Sequence, residues 1–255
     1  MDSAGAIAGP LTALVLLARY GIRSVFWAAA VPGALAVLVA LFGIRETGRH
    51  RPNDRDPKPA VDAAIAPGAT GTGIPGSFYF VLFAVTLFSL GNSSDMFLVM
   101  RAQNVGIRVA LAPLLGLVFN ITYTLGSWPA GWFSDHFSRR WIAAAGYLIF
   151  AGVYFVFGRA PSTSAIWITM AVYGVYYALT QPVLKALVVD SVEQAARGRA
   201  LGIYFFVTSV ATLAASLITG ELWKHYGAGV PFYFSAGLAV LSAVLLVFTS
   251  SQEKA

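Results

Sequence analysis

Charge is missing from this sequence for long stretches at a time. No Asp, Glu, Lys or Arg occurs in 24–44, 63–94, 109–134, 141–158, 160–184, 200–220 or 226–252. A helix crosses the hydrocarbon core with about 20 apolar residues, and most of these stretches supply that number after their ends are trimmed. The runs are continuous rather than alternating, which predicts helices, whose backbones satisfy themselves in lipid, over barrel strands. Only 11% of residues are charged, against about 25% in soluble domains. With 3–18 counted as a shorter first member, the pattern predicts an all-α membrane protein of eight transmembrane helices. No basic segment precedes the first apolar run, so no cleavable signal peptide is expected.

A net charge of +6 raises the question of nucleic acid, and the placement of the charges answers it. The basic residues sit at helix ends and in connectors, where they serve a lipid bilayer. With the N-terminus inside, ten Lys or Arg fall on the inner side, among them Arg45, Arg49, Arg139, Arg140 and Arg197. Six fall outside: Arg19, Arg23, Arg101, Arg108, Arg159 and Lys224. This bias predicts a cell-membrane protein with both termini cytoplasmic. The absence of cysteine excludes disulfides and thiolate metal sites.

The connector 45–76 is dense in charge, Pro and Gly, which predicts a solvated cytoplasmic linker. It divides the chain into a helix pair at 1–44 and a six-helix group at 77–250, followed by a short tail at 251–255. Its "GTGIPG" matches the glycine spacing of a dinucleotide-binding turn, but no strand precedes it and Pro75 interrupts it, so that reading is set aside. A repeat supports the division: "YGIRSVFW" from Tyr20 parallels "YGAGVPFY" from Tyr226, each between the members of a helix pair. Helices one and two thus correspond to helices seven and eight.

Between the fourth and fifth helices runs "GWFSDHFSRR", in which Gly131, Asp135, Arg139 and Arg140 form G-x-x-x-D-x-x-x-R-R. This resembles the cytoplasmic loop signature of the major facilitator superfamily of transporters, which lies between the second and third helices of each six-helix half. His136 and Ser138 depart from the residues common there. The resemblance implies a partial form of that fold: the last two helices of an N-terminal half, the linker, and a complete six-helix C-terminal half. It implies that the first four helices are missing, so that the chain is either a transporter or a truncated or split piece that needs an N-terminal fragment as partner. It further implies that the corner latches one access state; Asp190 and Glu193, at the cytoplasmic end of the sixth helix, are the acids placed to pair with the arginines. Physical chemistry offers both that reading and a simpler one. Asp135 can sit at a helix N-terminus and arginines can pair with acids, or the arginines can merely anchor helix ends.

"GAIAGP" resembles the end of a fifth-helix motif of proton-coupled drug exporters in the same superfamily, with Gly5, Gly9 and Pro10 as close-packing positions. A generic small-residue packing face fits them equally. "RGRALG" from Arg197 is similar to the cytoplasmic opening of the eleventh helix in members.

Polar groups inside lipid are costly and therefore candidates for function. The third helix carries "LGNSSDMF", with Asn92 and Asp95 near its middle, as in the interrupted helices that form transporter sites. Asp95 is a candidate proton carrier, or else caps a local kink. The sixth helix sets Tyr173, Tyr177, Gln181 and Lys185 four residues apart on one face, with Pro182 bending it. Lys185 is placed to attract an anion or to snorkel. Asn120, Tyr123, Thr124 and Ser127 share a face of the fourth helix, as pathway residues or as interhelical hydrogen-bonding groups.

An embedded enzyme would need a nucleophile and base or a ligand cluster. His50, His136 and His225 are far apart, and neither H-E-x-x-H nor G-x-S-x-G occurs. No cofactor or metal is expected. The resemblance implies secondary transport of small organic molecules by alternating access, more specifically proton-coupled efflux.

Overall fold

The computed structural model describes residues 2–43, 74–160 and 162–252. The linker expected at 45–76 lies outside the described residues as far as 73, and so does the tail beyond 252. Every regular element among the described residues is helical. They run α1 (Asp2–Tyr20), α2 (Ile22–Gly43), α3 (Gly76–Gly91), α4 (Met96–Asn104), α5 (Ala112–His136), α6 (Arg139–Arg159), α7 (Thr163–Asp190), α8 (Arg197–Tyr226) and α9 (Val230–Gln252).

Among the described residues, seven segments are long and apolar enough to cross a membrane, from Arg23–Phe42 through Val230–Phe248, so the expected count of eight is not confirmed. The first helix has 19 residues, but its apolar stretch is only Ala8–Leu17, because Asp2 and Arg19 occupy its ends. That is about half of what the hydrocarbon core requires. The third span, Gly76–Asn104, comprises two helices, α3 and α4. The chain is a multi-pass membrane protein.

In the α1–α2 pair the chain turns at Gly21, whose φ of 78° belongs to the left-handed region that glycine enters without steric cost. The Ser24 hydroxyl donates back to the Gly21 carbonyl at 2.6 Å. In the six-span group the α8–α9 turn also opens on a positive-φ glycine, Gly227 with φ 92°. The two glycines are equivalent positions of the sequence repeat, so its Tyr-Gly step places a positive-φ glycine at both helix ends.

The six-span group is organised around α6 and α7. Tyr147, Phe150, Tyr154 and Phe157 of α6 are fully buried, against Phe88 of α3, Tyr173 and Tyr176 of α7 and Phe232 of α9. Phe88 stacks on Tyr147 with ring centroids 3.8 Å apart, and Phe150 on Tyr154 at 3.9 Å. Small residues let the backbones approach where helices cross. A Cβ at Gly174 of α7 would lie 2.6 Å from the Phe119 carbonyl of α5, and one at Gly91 of α3 would lie 3.1 Å from the Ser235 carbonyl of α9. The outward faces of α5 and α8 carry exposed Leu125, Trp128, Phe206, Leu213 and Leu217, apolar surface of the kind a bilayer solvates.

Candidate functional site

Asn92 to Asp95 interrupt the third span. Four residues in succession there, Asn92 to Asp95, favour local side-chain hydrogen bonds and turns over helix, and α3 stops at Gly91 while α4 resumes at Met96. The Ser94 amide finds its acceptor on another helix, in Ser216 Oγ of α8 at 3.2 Å. Asp95 stands at the N-cap position of α4 but makes no side-chain cap. Its carboxylate turns to α7 instead, accepting from Tyr173 Oη at 2.7 Å and from Tyr177 Oη at 3.3 Å. No cation among the described residues lies within ion-pair distance of it.

The two tyrosines are held by rings. Phe119 and Tyr123 of α5 lie nearly parallel. Tyr177 stands across them at 86° to Phe119 and 80° to Tyr123. Tyr173 is fully buried and stacks on Tyr176 at 5.4 Å. The arrangement fixes two phenol donors on one carboxylate that is itself exposed, a geometry that can hold an ionised or a protonated acid in one place.

Toward the Asp190 end of α7, a recess of about 200 Å³ opens between α3, α7 and α8, with Asn92, Gln181 and Lys185 on its wall. Asn92 Oδ1 is buried there without a hydrogen-bond partner. Tyr177, Gln181 and Lys185 thus run from the Asp95 cluster into the recess along one face of α7, as their spacing predicts.

Asn120 is not brought to either place through its amide, which donates to the Gly116 carbonyl of its own helix at 2.8 Å. Ser127 likewise bonds the Tyr123 carbonyl. Thr124 Oγ1 is buried and unpartnered.

At the α5–α6 corner, Arg139 Nη1 donates to Asp190 Oδ2 at the end of α7. Glu193 is exposed and has no ion pair among the described residues. Asp135 is exposed on the last turn of α5 and is not joined to the arginines or to Asp190. Arg140 is half-buried. Around Gly131 an added Cβ would meet open space among the described residues, and the same holds for Gly5 and Gly9 of α1. Pro10 lies inside that helix. Among the described residues, no close backbone approach is seen at these three glycines.

Phe119, Thr180, Tyr204 and Thr208 were not singled out by the sequence, yet the first braces the tyrosines and the other three line the recess. Thr180 sits seven residues beyond Tyr173, two turns on along the same helix face, and that spacing was the available signal. Among the described residues, no cluster of His, Cys, Asp or Glu is placed to hold a metal.

Comparison with known proteins adds the family. The family model described as Major Facilitator Superfamily matches residues 78–255. The uncharacterized MFS-type transporter MJ1317 of Methanocaldococcus jannaschii is 30% identical over 255 residues, covering 97% of this chain and 61% of that protein. Multidrug resistance protein 1 of Bacillus subtilis is 29% identical over 131 residues, 51% of this chain and 33% of its own. Multidrug resistance protein 2 of the same organism is 28% identical over 130 residues, 51% and 32%. The chain spans less than two thirds of the length of each of these relatives. With the family model matching well over half of its residues, the chain belongs to the major facilitator superfamily.

Proposed function

We propose that this protein acts in secondary transport of small organic molecules by alternating access in the cell membrane, in the direction of export and in exchange for protons. Both termini lie in the cytoplasm in this reading. The observation that carries it is Asp95: an acid at the interruption of a membrane span, held by two tyrosine hydroxyls and facing no cation among the described residues. An acid in that setting can gain and lose a proton without breaking an ion pair, which is what a carrier of protons requires. Membership in the superfamily and the names of the Bacillus relatives support transport and export respectively.

In the same reading, residues 1–44 and 77–250 belong to two halves of the superfamily fold. The Arg139–Asp190 pair, with Asp135, Arg140, Gly131 and Glu193 around it, fastens one access state. The experiment is transport by the chain reconstituted in vesicles under an imposed pH gradient. Solute movement should collapse when the gradient is dissipated. Undiminished movement after dissipation refutes the coupling.

A further inference from the structure

We infer that the recess between α3, α7 and α8 is a substrate subsite for a small organic acid bearing hydroxyl groups, with Lys185 receiving the carboxylate and Asn92 the hydroxyl hydrogens. This names a substrate class for the transport proposed above and rests on that reading.

Three properties of the recess converge on this ligand. The first is charge. Among the described residues, Lys185 is the only Lys, Arg, Asp or Glu on its wall, and no carboxylate pairs with it. A cationic ligand would meet uncompensated repulsion, whereas a carboxylate would form a charge-assisted hydrogen bond.

The second is the direction of hydrogen bonding. Ser89, Thr180 and Thr208 each donate to the carbonyl four residues earlier on their own helix, at 2.9, 2.8 and 2.7 Å. A hydroxyl has one hydrogen to give, so toward a ligand in the recess these three side chains can only accept. Asn92 Oδ1 adds a buried acceptor with no partner. The wall therefore sets these acceptors beside the donors of Lys185, Gln181 and Tyr204, and it matches a ligand that both gives and takes hydrogen bonds. A buried acceptor left unmatched costs about 1–3 kcal/mol, so a ligand that supplies hydroxyl groups is favoured over an apolar one of the same shape.

The third is size. Pockets that enclose drug-sized molecules have about 300–1,000 Å³ and mostly apolar walls. This one has about 200 Å³ and a largely polar wall. A large lipophilic molecule fits neither its volume nor its hydrogen-bonding demand.

The test is equilibrium binding of radiolabelled gluconate to the purified 255-residue chain in lipid nanodiscs, with hexanoate and tetraphenylphosphonium in parallel. Hexanoate shares the six carbons and the carboxylate but has no hydroxyl groups. Gluconate should bind at least about tenfold more tightly than hexanoate. Lys185→Gln should weaken gluconate about tenfold or more, the scale of one charged hydrogen bond, and Lys185→Arg should keep most of the affinity. Asn92→Leu should lower gluconate affinity while sparing hexanoate. Each variant is first required to match the parent in circular dichroism and gel-filtration profile; should Asn92→Leu not fold, the exposed Lys185 pair decides alone. Equal binding of the two acids, indifference to Lys185→Gln, or binding of tetraphenylphosphonium only would each overturn the assignment. Gluconate binding without any movement across vesicle membranes would instead remove the transport reading and leave the subsite. Full transport of another solute by Lys185→Gln, with no gluconate binding to the parent, would do the reverse.

Discussion

Tyr173 of α7 donates a 2.7 Å hydrogen bond to Asp95 Oδ1 across the space between α7 and the interruption of the third span. The donor is fully buried among rings. The acceptor stands on a four-residue irregular segment whose backbone is anchored on α8 through Ser94 and Ser216. A carboxylate thus occupies a fixed position with one firm donor and a longer second one from Tyr177.

If Asp95 carries the proton, Asp95→Asn should abolish gradient-driven accumulation while leaving solute exchange at equal pH. The amide preserves shape and still accepts from Tyr173 but does not titrate. Tyr173→Phe removes one hydrogen bond to a charged group, worth about 1.5–3 kcal/mol, and should shift the pH dependence of transport without abolishing coupling. Parallel measurements of accumulation and exchange in vesicles check both. Accumulation by Asp95→Asn at the parent rate would remove Asp95 from the proton path.

Arg139 and Asp190 make a different kind of pair, with side chains 34% and 53% exposed. Such pairs add about 0–1 kcal/mol to stability. Asp190→Asn should therefore move the melting temperature in detergent by no more than about 4 °C. If the pair fastens one access state, transport should nevertheless fall several-fold, because the population of that state changes. Asp135→Asn should also slow transport with membrane insertion intact. Unchanged rates in both variants would reduce the corner to helix anchoring.

How much of this could be read in advance depends on the scale of the signal. Spans were legible because hydrophobic runs of about 20 residues have few other uses. The first helix, expected as a shorter member, is the ambiguous one, because its apolar stretch is only Ala8–Leu17. On α7 the step of four from Tyr173 to Lys185 announced a shared face, since helical periodicity is a local property. Asp95 was legible as costly, but its partners were not, because a hydrogen bond over 78 residues leaves no trace in spacing. Phe119 was invisible for a similar reason: an aromatic in an apolar run reads as lipid-facing until its neighbours are known. The three hydroxyls of the recess were ambiguous in kind. A Ser or Thr in a membrane helix bonds its own backbone in either case, and only the fold shows which of them border a recess.

Gly174 is the tightest crossing in the six-span group. A Cβ there would meet the Phe119 carbonyl at 2.6 Å and the Tyr123 amide at 2.8 Å, with Thr122 Oγ1 closer still. Backbone atoms cannot swing aside as a side chain can, so Gly174→Ala should force α5 and α7 apart and cost about 1–3 kcal/mol. The same shift would disturb Phe119 and Tyr123, and with them the setting of Tyr177. Gly152→Ala, where an added Cβ meets nothing within 4 Å, is the control and should leave the melting temperature unchanged or higher. Equal melting temperatures for the two variants would mean that the α5–α7 crossing yields without cost.

Arg101 ties the far end of the interrupted span to the end of α6. Its Nε donates to the Phe157 carbonyl and its Nη2 to the Gly158 carbonyl, both at 3.0 Å, while Nη1 reaches Asn104 Oδ1 at 2.7 Å. The last carbonyls of a helix have no partners within it, and a cation at that end also meets the negative pole of the helix dipole. One guanidinium thus satisfies two orphan acceptors and fixes the position of α4, the segment that begins at Asp95. Arg101→Ala should destabilise the protein by about 1.5–3 kcal/mol. Arg101→Lys should recover only part, because an ammonium lacks the planar fork that spans adjacent carbonyls. Hydrogen exchange separates this from a general loss of packing. Amides of α4 should exchange faster in Arg101→Ala, while those around Tyr147 and Phe150 in the middle of α6 keep their protection. Uniform acceleration across both helices would show that Arg101 supports the whole bundle and does not specifically hold the half-helix that presents Asp95.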